Sequence, residues 1–250
     1  MMTLKSSEDI AIMRECGRKV RLAIKSMADA IVPGVTTTAD LDAICADVLA
    51  REDAKASFKG YRGFPASACI SVNEEVVHGI PGPRVLEEGD IVTLDVGAYF
   101  QGFHGDAAWT YAVGEIEAEA NRLLNVTQES LNQGVAQAKA GNTIGDIAAA
   151  VQSYVERNGF SVVRDLVGHG IGRNLHEDPS VPNFGRRGSG AKLRAGMTLC
   201  IEPMINEGKY HVHCLEDHWT IVTKDGKRSA HFEHMVLVTD GAPDNLTPVI

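Results

Sequence analysis

Four acids and one histidine carry the chemistry that this sequence suggests: Asp95, Asp106, Glu202, Glu233 and His169. Asp95 and Asp106 lie in GDIVTLDVGAYFQGFHGDAAWT, where runs rich in β-branched and aromatic residues flank Gln101-Gly102. That pattern predicts a β-hairpin with a two-residue loop. Phe100 then pairs with Phe103, Tyr99 with His104, Ala98 with Gly105 and Gly97 with Asp106. Asp95 shares a face with Gly97 and Asp106. The two carboxylates become diagonal neighbours, roughly 7–8 Å apart at Cα, with a glycine leaving the space between them empty. Unpaired carboxylates inside a domain are costly unless a cation neutralises them. A divalent metal is expected in that gap; the alternative is a pair of surface aspartates on an exposed hairpin.

The other three come from the second half of the chain through an internal repeat. Gly34 with GVTTTADL matches Gly141 with GNTIGDI, and Leu86-x-x-Gly89-x5-Asp95 matches Leu193-x-x-Gly196-x5-Glu202, both at an offset of 107. Glu202 thus takes the place of Asp95. HGI at His78 recurs as HGI at His169 with a different offset, 91, so the intervening loops differ in length. Glu233 sits in a strand-like run, SAHFEHMVLV, as Asp106 sits on the second strand of the hairpin. Five ligands, mostly carboxylates, suit two hard or borderline divalent ions sharing bridging carboxylates.

The elements that must position these groups follow from periodicity. Ser6 or Ser7 caps a helix with apolar positions Ile10, Met13, Val20, Ile24, Met27 and Ile31, stopped by Pro33-Gly34. A second helix follows Thr36–Thr38 and carries Leu41, Ile44, Val48 and Leu49. A loop, FKGYRGFPASA, leads to an extended run from Cys69 to Val77 and then to the hairpin. The order repeats: a helix from Glu115 to Ala140, another from about Thr143 to Asn158, a strand-like SVVRDLV, then LRAGMTLCIEPM, an extended run from Trp219 to Val222, and HFEHMVLVT. The expectation is an α+β fold: one domain over residues 1–250, with α-α-β-β halves at approximately 8–110 and 115–240 related by a pseudo-two-fold, each giving strand-borne acids to a shared cleft.

Composition narrows the function. The chain has 250 residues, a net charge of -9 and five cysteines with no CxxC spacing. Such an acidic balance argues against a nucleic-acid groove or an anionic membrane as partner. The cysteine pattern fits neither a disulfide framework nor a zinc ribbon, and a reducing, cytoplasmic setting is expected. Acids within the first dozen residues and the lack of a long apolar run predict neither a signal peptide nor a membrane span.

SVNEEVVHGIP, DVG…GFHGD, GHGIGRNLHE, TLCIEPM and SAHFEH, in this order, resemble the methionine aminopeptidases, over nearly the whole chain. The five-ligand set is shared with the related "pita-bread" peptidases, prolidase and aminopeptidase P, which usually carry a substantial N-terminal domain. Only 31 positions separate Glu202 from Glu233, without the insertion of the type II branch, so type I is the nearer match. The resemblance implies the pita-bread fold around a central antiparallel sheet. It also implies removal of N-terminal methionine before a small second residue, and two divalent ions (Co, Mn, Fe or Zn). Nascent polypeptide N-termini and methionyl peptides would be the partners, with ribosome contact left open, a monomeric chain, and no specific nucleic acid or membrane. A prolidase-like Xaa-Pro dipeptidase and a non-catalytic binding protein on the same fold are the alternatives.

By the same resemblance, Asp95 would hold one ion, His169 and Glu202 the other, and Asp106 and Glu233 would bridge them. Glu202 would be the general base. His176 would hydrogen-bond the scissile carbonyl and His78 would face the scissile nitrogen. Phe58, Tyr61, Phe64, Cys69 and Trp219 match the methionine pocket, whose rings and sulfur suit a thioether. Phe58 and Phe64 depart from the cysteine and tyrosine common there and make the pocket more apolar. His218 replaces a glycine, and His231 replaces a glutamine on the face of Glu233. His104, His211, His213 and His234 are read as structural or solvent-exposed.

Overall fold

The computed structural model describes residues 3–248; Met1, Met2, Val249 and Ile250 of the expected 1–250 domain lie outside the described residues. Helix α1 (Ser7–Asp29) begins at Ser6, whose hydroxyl takes the Asp9 N–H while the Asp9 carboxylate takes the Ser6 N–H, a reciprocal cap. It stops before the expected Pro33-Gly34. Val32 precedes a proline and is disfavoured in helix, and the Thr36 hydroxyl accepts from its N–H at 3.0 Å and donates to the Ala30 carbonyl at 2.8 Å. Helix α2 (Thr38–Arg51) starts at Thr37 with the same reciprocal cap from Asp40.

Strands β1 (Lys55–Ala56), β2 (Cys69–Val72) and β3 (Glu75–Val77) follow. The run from Cys69 to Val77, expected as one extended segment, turns at Asn73 (φ 56°). The Asn73 side chain holds that turn by donating to Asp90 and accepting from the Ile91 N–H. Strands β4 (Ile91–Phe100) and β5 (Phe103–Ala112) form the hairpin with the predicted register, including Gly97 opposite Asp106. Gln101 (φ 47°) and Gly102 (φ 87°) are both left-handed, as a two-residue loop of this twist requires.

Helix α3 (Ala118–Val135) is shorter than expected because the chain leaves it to donate Ala140 N–H to the Thr239 carbonyl and Gly141 N–H to that of Leu193. Helix α4 (Ile144–Arg157) is capped by Thr143 and Asp146. Ten short strands complete the fold: β6 (Ser161–Val162), β7 (Gly168–Gly170), β8 (Glu177–Val181), β9 (Thr198–Ile201), β10 (Met204–Asn206), β11 (Val212–Cys214), β12 (Ile221–Thr223), β13 (Ser229–His231), β14 (His234–Leu237) and β15 (Asp244–Asn245). Trp219 lies in the bend before β12, not in an extended run, because the Asp217 carboxylate takes its N–H and that of Thr220.

Among the described residues the strand ladders are antiparallel. Strand β4 pairs with β5 on one edge and with β1 and β2 on the other; β9 pairs with β14 and β7. Val92, Leu94, Val96 and Ala98 pack under α1 and α2, and Leu199 and Ile201 under α3 and α4. Side-chain alternation then turns Asp95 and Gly97, and in the other half Cys200 and Glu202, to the opposite face. The acids meet there because the alternate residues bury their apolar side chains beneath the helices.

The pseudo-two-fold is written in hydrogen bonds. Gly34 N–H donates to the Leu86 carbonyl at 2.8 Å, and Gly141 N–H to that of Leu193 at 3.0 Å. Gly89 N–H donates to Val113 and Gly196 N–H to Val238. Leu94 pairs with Trp109 as Ile201 pairs with His234. This register sets Glu202 in the place of Asp95. It also corrects two expectations. The counterpart of Asp106 is His231, while Glu233 stands in the place of Ala108. The counterpart of His169, opposite Cys200, is Ser71, opposite Thr93, so the shared HGI at His78 has no structural equivalence.

Candidate metal centre

Asp95 and Asp106 lie within strands, but Glu202 and Glu233 do not: each sits in a break, between β9 and β10 and between β13 and β14. Pro203 lacks an N–H to complete its pair with Phe232, whose own N–H reaches the Pro203 carbonyl at 3.4 Å. The next N–H, that of Glu233, points the other way and donates at 2.9 Å to the Ala108 carbonyl of the hairpin. That bond stitches the two halves together at their acids. The expectation of strand-borne acids therefore holds for the first pair only.

These five residues floor a cavity of about 300 Å³ whose lining also includes His78, His176, Phe58, Tyr61, Phe64, Cys69 and Trp219. Every residue singled out for the site from sequence is there. His231 is not in the lining; it lies buried behind Glu202, with Nε2 3.9 Å from Glu202 Oε2. His104 is structural, bonded through Nδ1 to Ser57 at 2.8 Å, and His234 likewise to Thr247 at 3.2 Å. His211 and His213 are exposed.

One expected feature is different. The space over Gly97 is not an empty gap between carboxylates: a Cβ there would come within 2.7 Å of Phe58 Cε1 and 2.8 Å of Ser57 Cβ. The glycine admits the Phe58 ring, which forms part of the cavity wall. Sequence reasoning missed Arg62 and Asp165 at the rim, and Val77, Leu166, Val167, Leu175 and Met204 in the walls. Only the strand or loop they share with a named residue signals them.

The donor set fits a cation. Asp95 Oδ1, Asp106 Oδ1 and Glu233 Oε1 are buried with no hydrogen-bond partner among the described residues, a state that is costly for carboxylates. Burial pushes the Asp95 carboxyl up to about 8. Burial, then the neighbouring acids, hold Asp106, Glu202 and Glu233 well above the usual range. A divalent ion would reverse that repulsion. His169 Nδ1 lies 2.9 Å from the Gly170 carbonyl; a proton there leaves the Nε2 lone pair toward Glu202 Oε1 (3.6 Å) and Asp106 Oδ2 (4.0 Å). Burial holds this imidazole down to about 4, so it is neutral and free to ligate.

A tighter quartet, one donor atom each from Asp106, His169, Cys200 and Glu233, lies within 4.8 Å. Burial, then the charge of Glu233, pushes the Cys200 thiol well above its ordinary range, and it hydrogen-bonds Glu233. As a protonated donor it steadies the Glu233 carboxyl rather than supplying charge, and Asp95 and Glu202 complete the acidic set on the cavity floor. Divalent metal at 100 times its Kd should stabilise the metal-free protein by about 2.7 kcal/mol. At ~2–4 °C per kcal/mol, calorimetry should then show Tm rising by roughly 5–10 °C; an unchanged Tm would remove the centre.

The walls are apolar and aromatic. Phe64 meets Trp219 edge-on at 5.1 Å, and Phe64 and Cys69 are buried. His78, left-handed at φ 60°, lies with its ring 6.3 Å from Trp219. His176 stacks on Tyr61 at 5.3 Å and stands 4.2 Å from the His169 ring.

Among the described residues no helix is long and apolar enough to cross a membrane. The model of metallopeptidase family M24 matches residues 11–240. The chain is 49% identical over 249 residues to methionine aminopeptidase 1 of Bacillus subtilis, covering all of both chains, and 51% identical over 247 residues to the methionine aminopeptidase of Clostridium perfringens, covering 99% of each. The methionine aminopeptidase structure from Thermotoga maritima superposes with a TM-score of 0.97 at 46% identity, covering 99% of both chains. Prolidase from Pyrococcus furiosus, at 20% identity and TM-score 0.78 over 98% of this chain and 65% of its own, shares the fold alone. Full-length identity, the two-fold α-α-β-β architecture and the acid-floored cleft agree: the chain belongs to metallopeptidase family M24.

Proposed function

We propose that this chain is an aminopeptidase that uses two divalent ions to remove the N-terminal methionine from nascent polypeptides and methionyl peptides with a small second residue. The observation that carries the reading is one cavity with four acids and a histidine as floor and an aromatic, sulfur-bearing wall. The chain works as a single catalytic domain, since each half supplies ligands. Its five free cysteines, four of them buried, suit a reducing cytoplasm.

Asp95 would hold one ion and His169 and Glu202 the other, with Asp106 and Glu233 available to both. Such ions, when bound, activate water by lowering its pKa from ~15.7 toward ~7 and polarise the scissile carbonyl. Glu202 accepts the proton of the attacking water at a carboxylate oxygen and passes it to the leaving amine. His176 donates an N–H to the carbonyl oxygen as negative charge develops. His78, held neutral by burial with a pKa of about 4, faces the scissile nitrogen. Phe58, Tyr61, Phe64, Cys69 and Trp219 enclose the methionine side chain, where soft thioether–aromatic contacts favour it.

Metal-reconstituted enzyme assayed on Met-Ala-Ser, Leu-Ala-Ser and Ala-Pro tests this. Met-Ala-Ser is expected to be cleaved, Leu-Ala-Ser roughly 10-fold or more slowly, as pocket discrimination of ~1–3 kcal/mol allows, and Ala-Pro not at all. Turnover of Ala-Pro in preference to Met-Ala-Ser would overturn it in favour of a dipeptidase.

A further inference from the structure

His231 closes β13 with its ring inside the protein. The residue is 2% exposed, and neither Nδ1 nor Nε2 has a hydrogen-bond partner among the described residues. Its backbone cannot swing away. The His231 N–H donates to Thr110 Oγ1 at 3.0 Å, the His231 carbonyl lies 2.8 Å from the same hydroxyl, and the residue is paired with Met204 across the ladder. The local two-fold gives the ring its direction: position 231 is the counterpart of Asp106, and its partner Met204 the counterpart of Gly97. In the first half that position aims a side chain at the centre.

Glu202 lies between two imidazoles. Its Oε1 is 3.6 Å from His169 Nε2, and its Oε2 is 3.9 Å from His231 Nε2. The two sides are chemically different. With its proton on Nδ1 toward Gly170, His169 offers Oε1 a lone pair, so those two atoms suit a shared cation. Nothing fixes the His231 tautomer, and its Nε2 is free to carry the proton. The Glu202 main chain is already tied, its carbonyl accepting from Asn183 Nδ2 at 2.9 Å. What remains undetermined is which carboxylate oxygen faces the ligands.

We infer that His231 is a positioning residue for Glu202, its Nε2–H donating to Oε2 so that Oε1 is presented to the metal ion and His169. This rests on the assignment of Glu202 above. A shift of under about 1 Å brings the pair to hydrogen-bond distance. A fixed carboxylate rotamer matters because ligand-orienting partners govern both metal affinity and reactivity.

The test is a double-mutant cycle read in metal affinity, by calorimetric titration of manganese into metal-free protein, with kcat on Met-Ala-Ser measured alongside. His231→Ala should weaken metal binding and lower kcat at saturating metal by roughly 10–100-fold each, and His231→Gln, which restores an N–H donor, should recover most of both. If the alanine variant does not fold, His231→Leu fills the space without a donor and is measured the same way. In the Glu202→Gln background, removing His231 should cost no further affinity, since coupled residues are non-additive. Parental affinity and turnover in the donor-free variant, or an undiminished His231 effect without the Glu202 carboxylate, would overturn the inference. If Glu202→Gln itself keeps parental metal binding and turnover, the assignment of Glu202 fails instead, whatever His231 does.

Discussion

Asp106→Asn is expected to abolish metal-dependent turnover while leaving the metal-free protein folded and more stable than its parent. Asp106 is buried, with Oδ1 unpartnered, and faces Glu233 and Asp95 as like charges. In the metal-free protein an amide removes one of four mutually repelling carboxyls, so the substitution relieves a penalty. With metal the sign is expected to reverse, because the variant lacks a carboxylate that the proposed centre needs. Turnover should fall beyond the ~100-fold seen when a residue only orients a ligand, and the metal-induced rise in Tm should largely vanish. The parent supplies a control in pH. Burial raises the folded pKa of Asp95 from its ordinary 3.8 to about 8, so between those values the folded state binds more protons than the unfolded state. Its contribution is fully present below ~4 and lost as pH rises toward ~8. Metal-free protein should therefore lose stability across that window, less steeply in Asp106→Asn and hardly at all with metal bound. Calorimetry at pH 5, 6.5 and 8 on both proteins checks the set. Parental activity in Asp106→Asn, or lower metal-free stability, would mean the acid is a structural partner rather than a ligand.

How much of this centre could be read from sequence depended on how local its causes were. The register of β4 and β5 follows from a loop of two residues, Gln101 and Gly102, and from side-chain alternation; every pair then falls into place. The cap narrowed to Ser6 or Ser7 is equally local, and the structure settles it on Ser6, a hydroxyl three residues before an Asp. Thr37 and Thr143 repeat that pattern, though neither is read as a cap from sequence. Where causes are long-range the reading drifted. Gly97 carries no sign of the Phe58 ring that occupies its missing Cβ, because Phe58 arrives from a loop outside the hairpin. Glu202 and Glu233 read as strand residues, yet Pro203 interrupts the ladder beside them and the Glu233 N–H is turned to Ala108 of the hairpin.

The repeat shows both the strength and the limit of pattern. Gly34, Leu86 and Gly89 recur as Gly141, Leu193 and Gly196 because the same turn hydrogen bonds are made twice. The HGI of His78 and His169 recurs in letters only: one follows β3, the other lies in β7 opposite Cys200. Rim residues such as Arg62 and Asp165 left no periodic trace. A loop residue has no alternation to betray which way it faces, and only the folded cleft brings it to the site.

His176→Ala is expected to separate transition-state stabilisation from metal binding. His176 lies on the cavity wall beside His169, their rings 4.2 Å apart, yet it is exposed at the mouth and outside the group of donor atoms that converge within 4.8 Å. The stack on Tyr61 at 5.3 Å and 20° fixes its plane. The surrounding walls, then the Arg62 charge, hold its pKa below the ordinary value. Near neutral pH it is therefore an uncharged imidazole with one N–H to give. A neutral donor contributes little to a resting carbonyl and more to an oxyanion, so its loss should fall on kcat. Removing one such donor commonly costs ~10²–10³-fold, or roughly 3–4 kcal/mol. His176→Ala should keep parental metal content and bind methionyl peptides within a few-fold, while kcat falls by that factor. His169→Ala, one ring away, should instead lose metal, because it removes the Nε2 lone pair facing Glu202 and Asp106. Metal content by elemental analysis and kcat on Met-Ala-Ser, measured on both variants, give the answer. Loss of metal from His176→Ala would make it a ligand, and an unchanged kcat would leave it a wall residue held by Tyr61.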